Sequence, residues 1–192
     1  MKILIKVKRI AHPLAGDNKK NFLVKMPVIL DKGDWIDLSA AETIKLTAPK
    51  SDTIKYKNVD GKKKGYYSVS FNEITYIPLG IAIKLPDGYY ARVVPRSSTP
   101  KNAGIISANS IGIIDGGPNG YNGNKDEWKF PALAIRDTTI EQGQRICQFE
   151  VCLSQKASVW QKIKYLFYNG IKIVEVEDLG DNNRSGFGST GK

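Results

Sequence analysis

The chain has 192 residues, 41% hydrophobic and 25% charged, which suits one globular domain with a substantial core and excludes a disordered or fibrous chain. Its formal charge of +10, from 29 basic and 19 acidic residues, points to polyanionic partners: nucleic acid, a phosphorylated small molecule or an acidic protein. No apolar run reaches the roughly 18 residues of a membrane span, and no signal-peptide core opens the chain, so no membrane partner is expected.

Residues 2–9 alternate apolar and basic side chains, a first strand with one buried face, and His12-Pro13 closes it. The lone His12 reads as structural or surface. Residues 22–30 are apolar and extended, broken by Pro27, and the acid-rich turn Gly33-Asp34-Trp35 leads into a short strand through Ala40. A hairpin is predicted from Thr53–Val59 across Asp60-Gly61 to Tyr66–Phe71, inserted on the β framework. Lys45, Lys50, Lys55, Lys57, Lys62, Lys63 and Lys64 crowd this region, which reads as a solvated basic hairpin rather than a nucleic-acid groove, with a protein partner left open. Residues 74–85 and Tyr89–Val94 are further strands, turned by Pro86-Asp87-Gly88.

The stretch Gly104–Gly123 is rich in β-branched residues up to one acid, Asp115, then turns glycine-rich before Tyr121. It reads as a strand or a tight pair of strands, with Asp115 at a hairpin mouth. That acid is either an ordinary turn residue or part of a binding site. Trp128–Arg136 and Arg145–Leu153 are strands, and Cys147 and Cys152, five apart, point to opposite sides of the second one. Two cysteines and one histidine make neither a disulfide framework nor a zinc site, and a cytoplasmic compartment is expected. Ser158 and Gln161 form a capping box, and Val159, Trp160, Ile163, Leu166 and Phe167 recur at helical spacing, so one short inserted helix is predicted near 158–168. Residues 171–176 give a last strand. From about residue 181 the chain is polar and glycine-rich, which predicts a flexible C-terminal arm after a single domain over 1–180. Eight or more strands against one helix make the fold all-β, a barrel or sandwich.

Five segments stand out in order: Gly33–Ala40, Pro95-Arg96-Ser97-Ser98, Asn109–Asp115 with Tyr121–Gly123, Gly143–Gln148 and Gly186–Gly191. Together they resemble the five motifs of the trimeric dUTP pyrophosphatases, the dUTPases, over nearly the full chain. The resemblance implies a jelly-roll-like β-barrel homotrimer with shared active sites. It implies hydrolysis of dUTP to dUMP and pyrophosphate, with Mg²⁺ on the triphosphate. Asp115 matches the acid that activates the attacking water. Asn109 matches a position that reads uracil, Gly112 is counted with it as substrate-binding, and Tyr121 matches the ring under the deoxyribose. Arg96, Ser97 and Gln148 match phosphate-contacting positions, with Ser98 beside them. Arg96 is otherwise a subunit-interface ion pair, and Arg145 is either phosphate-facing or structural. Asp37 matches the acid that approaches Mg²⁺ through its waters. Phe187 matches the tail aromatic that stacks on the base, with Gly188, Ser189 and Thr190 around the phosphates.

The chain departs from the pattern in three places. Five residues, Gly116 to Gly120, separate Asp115 from Tyr121, so either they loop out or Tyr121 is displaced. Arg184 stands nearer Phe187 than the tail arginine normally does, which leaves its γ-phosphate role open. The 53–71 hairpin and the 158–168 helix are extra. A dCTP deaminase would need a glutamate in Lys129–Arg136, which has none. A catalytically weak regulatory module on the same fold is the other alternative.

Overall fold

The computed structural model describes residues 1–51, 55–66, 69–70, 73–180 and 183–184. In chain order the strands begin with β1 (Ile3–Arg9), β2 (His12–Leu14), β3 (Asp17–Phe22), β4 (Val28–Ile29), β5 (Ile36–Ser39) and β6 (Ile44–Leu46). Then come β7 (Lys50–Ser51), β8 (Lys55–Val59), β9 (Lys62–Tyr66), β10 (Val69–Ser70), β11 (Thr75–Lys84) and β12 (Tyr89–Pro95). After helix α1 (Thr99–Ala103) follow β13 (Ile105–Ser107), β14 (Gly112–Asp115), β15 (Glu127–Ala134), β16 (Thr138–Ile140) and β17 (Arg145–Leu153). Helix α2 (Val159–Tyr165) and β18 (Ile171–Glu175) complete the described elements.

Two five-stranded sheets carry the fold, ordered β13-β15-β11-β1-β18 and β14-β12-β17-β5-β4. Their strands alternate as the sequence pattern requires: β1 buries Ile3, Ile5 and Val7, and β15 buries Trp128, Phe130, Ala132 and Ala134. These inward faces meet in one core, where the Trp128 ring of one sheet stands edge-on to Phe149 of the other, centroids 5.1 Å apart. The result is an all-β, flattened barrel. Among the described residues no helix is long and apolar enough to cross a membrane.

One bulge shapes the first sheet. The β11–β15 register shifts between Pro78 and Ala82, and Gly80 sits there at φ +62. A Cβ on Gly80 would crowd Val24 and Ala41, so only glycine fits. The Gly80 amide donates to Glu127 at 2.8 Å, and the same Glu127 oxygen lies 2.7 Å from His12 Nε2. His12 Nδ1 lies 2.7 Å from Glu42, so the lone histidine ties three parts of the chain together.

Three local expectations change. The second arm of the basic hairpin starts at Lys62 rather than Tyr66, because Asp60 (φ 50) and Gly61 (φ 73) make a two-residue turn that pairs Val59 directly with Lys62. The stretch after Gly104 is no hairpin: β13 pairs with β15 and β14 with β12, in different sheets. Helix α1 lacked a periodic pattern; it is one short turn opened by Pro100 and ended by Gly104 at φ 66.

Helix α2 starts at the expected capping box, with Gln161 N donating to Ser158 Oγ (3.2 Å) and Ser158 N to Gln161 Oε1 (2.7 Å). Its orientation is the surprise. It docks through Gln161, whose amide donates to the Asp87 carbonyl, and through Tyr165 and Tyr168, which flank Tyr89. The apolar stripe faces outward, and Trp160 is 75% exposed.

Two tryptophans therefore make opposite predictions. Trp128→Ala should cost about 3–5 kcal/mol in urea unfolding, as a fully buried core aromatic. Trp160→Ala should cost less than about 0.5 kcal/mol; a loss above about 2 kcal/mol would show that the stripe packs within the chain.

Candidate active site

Asp115 ends β14, an edge strand whose register sets it opposite Tyr90 of β12. Its carboxylate is 63% exposed. The chain then leaves the strand for five residues and returns at once. Gly116 N donates to Tyr89 O, Gly120 N to Gly117 O and Tyr121 N to Asp115 O, each at 3.0 Å. Asn122, buried below, donates its side-chain amide to Gly117 O and accepts from Leu85 N. This closed loop puts Tyr121 back beside Asp115 despite the stretched spacing. Two glycines allow it by their size: a Cβ on Gly116 would strike the Tyr89 carbonyl, and one on Gly120 the Asp115 carbonyl. Tyr121 is fixed by its hydroxyl, which donates to Glu127 O at 3.0 Å. Burial, helped by nearby Asp126 and Glu127, pushes its phenol up to about 12.

The chain beyond β18 is drawn to the same place by an acid outside the five motifs, Asp126. Asp126 is buried; it accepts from Gly123 N at 2.9 Å and from Arg184 N with both oxygens at 3.0 Å. Lys125 N donates to Asn183 Oδ1 at 2.7 Å, and Asn124 accepts from Leu179 N. With its backbone so pinned, Arg184 extends its guanidinium to Asn119 O (3.1 Å) and Asp115 Oδ2 (3.4 Å). The signal for this anchor was the run Asn122-Gly123-Asn124-Lys125-Asp126, dense in side chains that bond local amides. A cavity of about 690 Å³ opens here, lined by Asp115, Arg184, Asn119, Tyr90, Ile113 and Gln161 among others.

A second cluster forms where β5, β12 and β17 lie side by side. Asp37, its side chain 4% exposed, accepts from Arg96 Nε at 3.0 Å and from Arg145 Nη1 at 2.9 Å. A carboxylate so desolvated is tolerated because each oxygen takes a charge-assisted bond. The same buried position pushes the neighbouring Cys147 thiol up, chiefly through burial and then through Asp37, whereas Cys152 is partly exposed. Gln148 sits opposite Asp37 in the β5–β17 register. Ser97 is exposed, and Ser98 caps α1 without a side-chain bond. Arg96 thus pairs within its own chain. Both oxygens of Asp37 are engaged, and among the described residues no three His, Cys, Asp or Glu side chains gather as metal ligands. An ion that keeps its waters and rides on phosphates fits this set; a protein cage does not.

The two clusters stand at opposite ends of β12. From Tyr90, opposite Asp115, to Arg96 is six residues, or about 20 Å of extended strand. Asn109 is exposed at the β13–β14 turn, toward the Arg96 end, and accepts from Ser107 Oγ; Gly112 pairs with Val93 between the two ends. Phe187, Gly188, Ser189 and Thr190 lie outside the described residues. β15 begins one residue earlier than expected, at Glu127, but that carboxylate is engaged by His12 and the Gly80 amide.

A family model described as dUTPase matches residues 62–191. A SPbeta prophage-derived deoxyuridine 5'-triphosphate nucleotidohydrolase, YosS of Bacillus subtilis (strain 168), is 40% identical over 162 residues, covering 84% of this chain and 87% of that protein. The deoxyuridine 5'-triphosphate nucleotidohydrolase of Finegoldia magna is 35% identical over 149 residues, 74% of this chain and 90% of its own. Among solved structures, a Staphylococcus bacteriophage 80alpha dUTPase with dUPNHPP shares the fold at TM-score 0.52 and 16% identity, over 98% of both chains.

The Asp37 pairing can be weighed by removing its charge alone. Asp37→Asn keeps the shape and is expected to lose about 1.5–3 kcal/mol in urea unfolding, the scale of hydrogen bonds to charged groups. A loss under about 0.5 kcal/mol would mean that the two arginines are held by other contacts.

Proposed function

The chain belongs to the dUTPase family, and from that premise we propose that it hydrolyses dUTP to dUMP and pyrophosphate, with Asp115 taking a proton from the water that attacks the α-phosphate. The observation that carries this reading is the exposed Asp115 carboxylate at the end of β14, whose backbone carbonyl accepts from the Tyr121 amide, opening on a cavity of about 690 Å³. Clamped backbone on both sides of the acid supplies the fixed geometry that proton transfer needs. Tyr121, held by its hydroxyl and its amide, is the rigid ring proposed to lie under the deoxyribose and to leave no space for a 2′-hydroxyl. Asn109 and Gly112 are proposed to meet the base.

Arg96, Arg145, Ser97, Ser98 and Gln148 are proposed to hold phosphates. Guanidinium forks suit that task, and Asp37 pre-sets the two that would do it. About 20 Å of β12 backbone separates the Arg96 end of the strand from the Asp115 end. This separation supports a homotrimer in which one copy presents Asp115 and Tyr121 and another presents the arginines. Mg²⁺ is proposed to arrive with the triphosphate, where it neutralises phosphate charge, and Asp37 is the acid proposed to face its waters. Arg184 lies on Asp115 in this structure, and a nucleotide phosphate would compete for its guanidinium. The arm over residues 181–192 is proposed to close over the base with Phe187 and over the phosphates with Gly188, Ser189 and Thr190. The site is proposed to work in the cytoplasm.

Pyrophosphate release from dUTP, dCTP and UTP in the presence of Mg²⁺ tests the assignment. Turnover of dUTP alone is expected, and equal rates on dUTP and UTP would remove Tyr121 from sugar selection. Tyr121→Phe, which keeps the ring, should keep the discrimination; Tyr121→Ala should lose it. Asp115→Asn should lower kcat by about 10²–10⁴-fold while dUTP still binds. An unaffected rate would end the role of Asp115 as base. Sedimentation of the full chain should give a trimer, and a fully active monomer would overturn the shared site.

A further inference from the structure

The β8–β9 ribbon belongs to neither sheet and to neither cluster around Asp115 and Asp37. Every residue from 56 to 65 is exposed. Residues 55–66 hold five lysines against one acid, Asp60. As sequence, such a run is a solvated basic hairpin. The register adds a fact that sequence does not carry.

Lys57 stands directly opposite Lys64, and Val59 opposite Lys62. Opposed residues share a face of a ribbon, as do residues two apart, so Lys57, Lys62 and Lys64 project from one side and Tyr56, Asn58 and Lys63 from the other. Opposed side chains start about 5 Å apart at Cβ, where like charges repel, and Lys62 and Lys64 are spaced about 7 Å along the strand. Among the described residues no carboxylate pairs with these three lysines. Protecting an exposed edge from aggregation needs scattered lysines and gives no reason to oppose two of them. A polyanion laid along that face does.

We propose that the lysine face of the β8–β9 ribbon binds the phosphate backbone of double-stranded nucleic acid without reading its sequence. Duplex DNA carries about one negative charge per 1.7 Å of axis, so three lysines on one face each meet phosphate and release counterions. A two-stranded ribbon also fits the width of the major groove. Among the described side chains on this face only Val59 is apolar, 37% exposed. Those described side chains form neither the apolar centre of a protein interface nor the wedge of a membrane-surface element.

Fluorescence anisotropy of a labelled short DNA duplex with the full chain, from about 50 to about 200 mM salt, tests the proposal. The wild type should bind with a steep salt dependence. The triple variant Lys57→Gln, Lys62→Gln, Lys64→Gln should lose about 2.7 from the slope of log K against log salt, so that its deficit shrinks about 40-fold across that range. The corresponding triple Lys→Arg variant should keep the slope, and circular dichroism checks that all three chains fold alike. Equal affinity and slope for the wild type and the Gln variant would overturn the proposal, as would no binding at the lowest salt. Poly-glutamate that displaces the duplex at equal charge concentration, or tighter binding to phosphatidylserine vesicles than to duplex, would assign the face to an acidic protein or a membrane instead.

Discussion

A β-strand paired on both edges cannot change its length, and β12 is such a strand, held by β14 on one side and β17 on the other. Its rise of about 3.3 Å per residue converts sequence spacing into distance. Asp115 is fixed by its register with Tyr90 and Arg96 by its place just past the strand's end, so the acid and the guanidinium pair are kept apart however the loops move.

Around each end of β12 the chain solves a different electrostatic problem. Asp37 is desolvated, and it persists because two arginines, Arg96 just past β12 and Arg145 on β17, each satisfy one of its oxygens. Asp115 is left largely in water with one oxygen 3.4 Å from the Arg184 guanidinium, and its backbone is held by carbonyl and amide bonds on either side of a glycine loop. The buried Asp126 links the second arrangement to the chain's last described residues, since the only backbone it orders from afar is that of Arg184 among its described bonds.

Two surface features run against the usual economy of folding. Helix α2 turns its apolar stripe to solvent because the contacts that hold it and the turn after it are a capping glutamine on the Asp87 carbonyl and the rings of Tyr165 and Tyr168 against Tyr89. The β8–β9 ribbon sets like charges opposite one another because a two-residue turn dictates the pairing, with no freedom to offset Lys57 from Lys64.

The sequence by itself determined what depends on near neighbours. The Asp60-Gly61 turn, the capping box of Ser158 and Gln161, the alternation of Ile3, Ile5 and Val7 and the opposite faces of Cys147 and Cys152 all reflect interactions within a few residues. The ordered motifs were legible for the same reason, since each is a contiguous run. Only the tertiary structure decided which side of α2 docks on the chain, that β13 and β14 belong to different sheets, that Asp37 binds residues 59 and 108 positions away, and that Asp126 holds the Arg184 amide. Those outcomes rest on strand register and sheet order, which bring distant residues to bonding distance and leave no local periodicity to read.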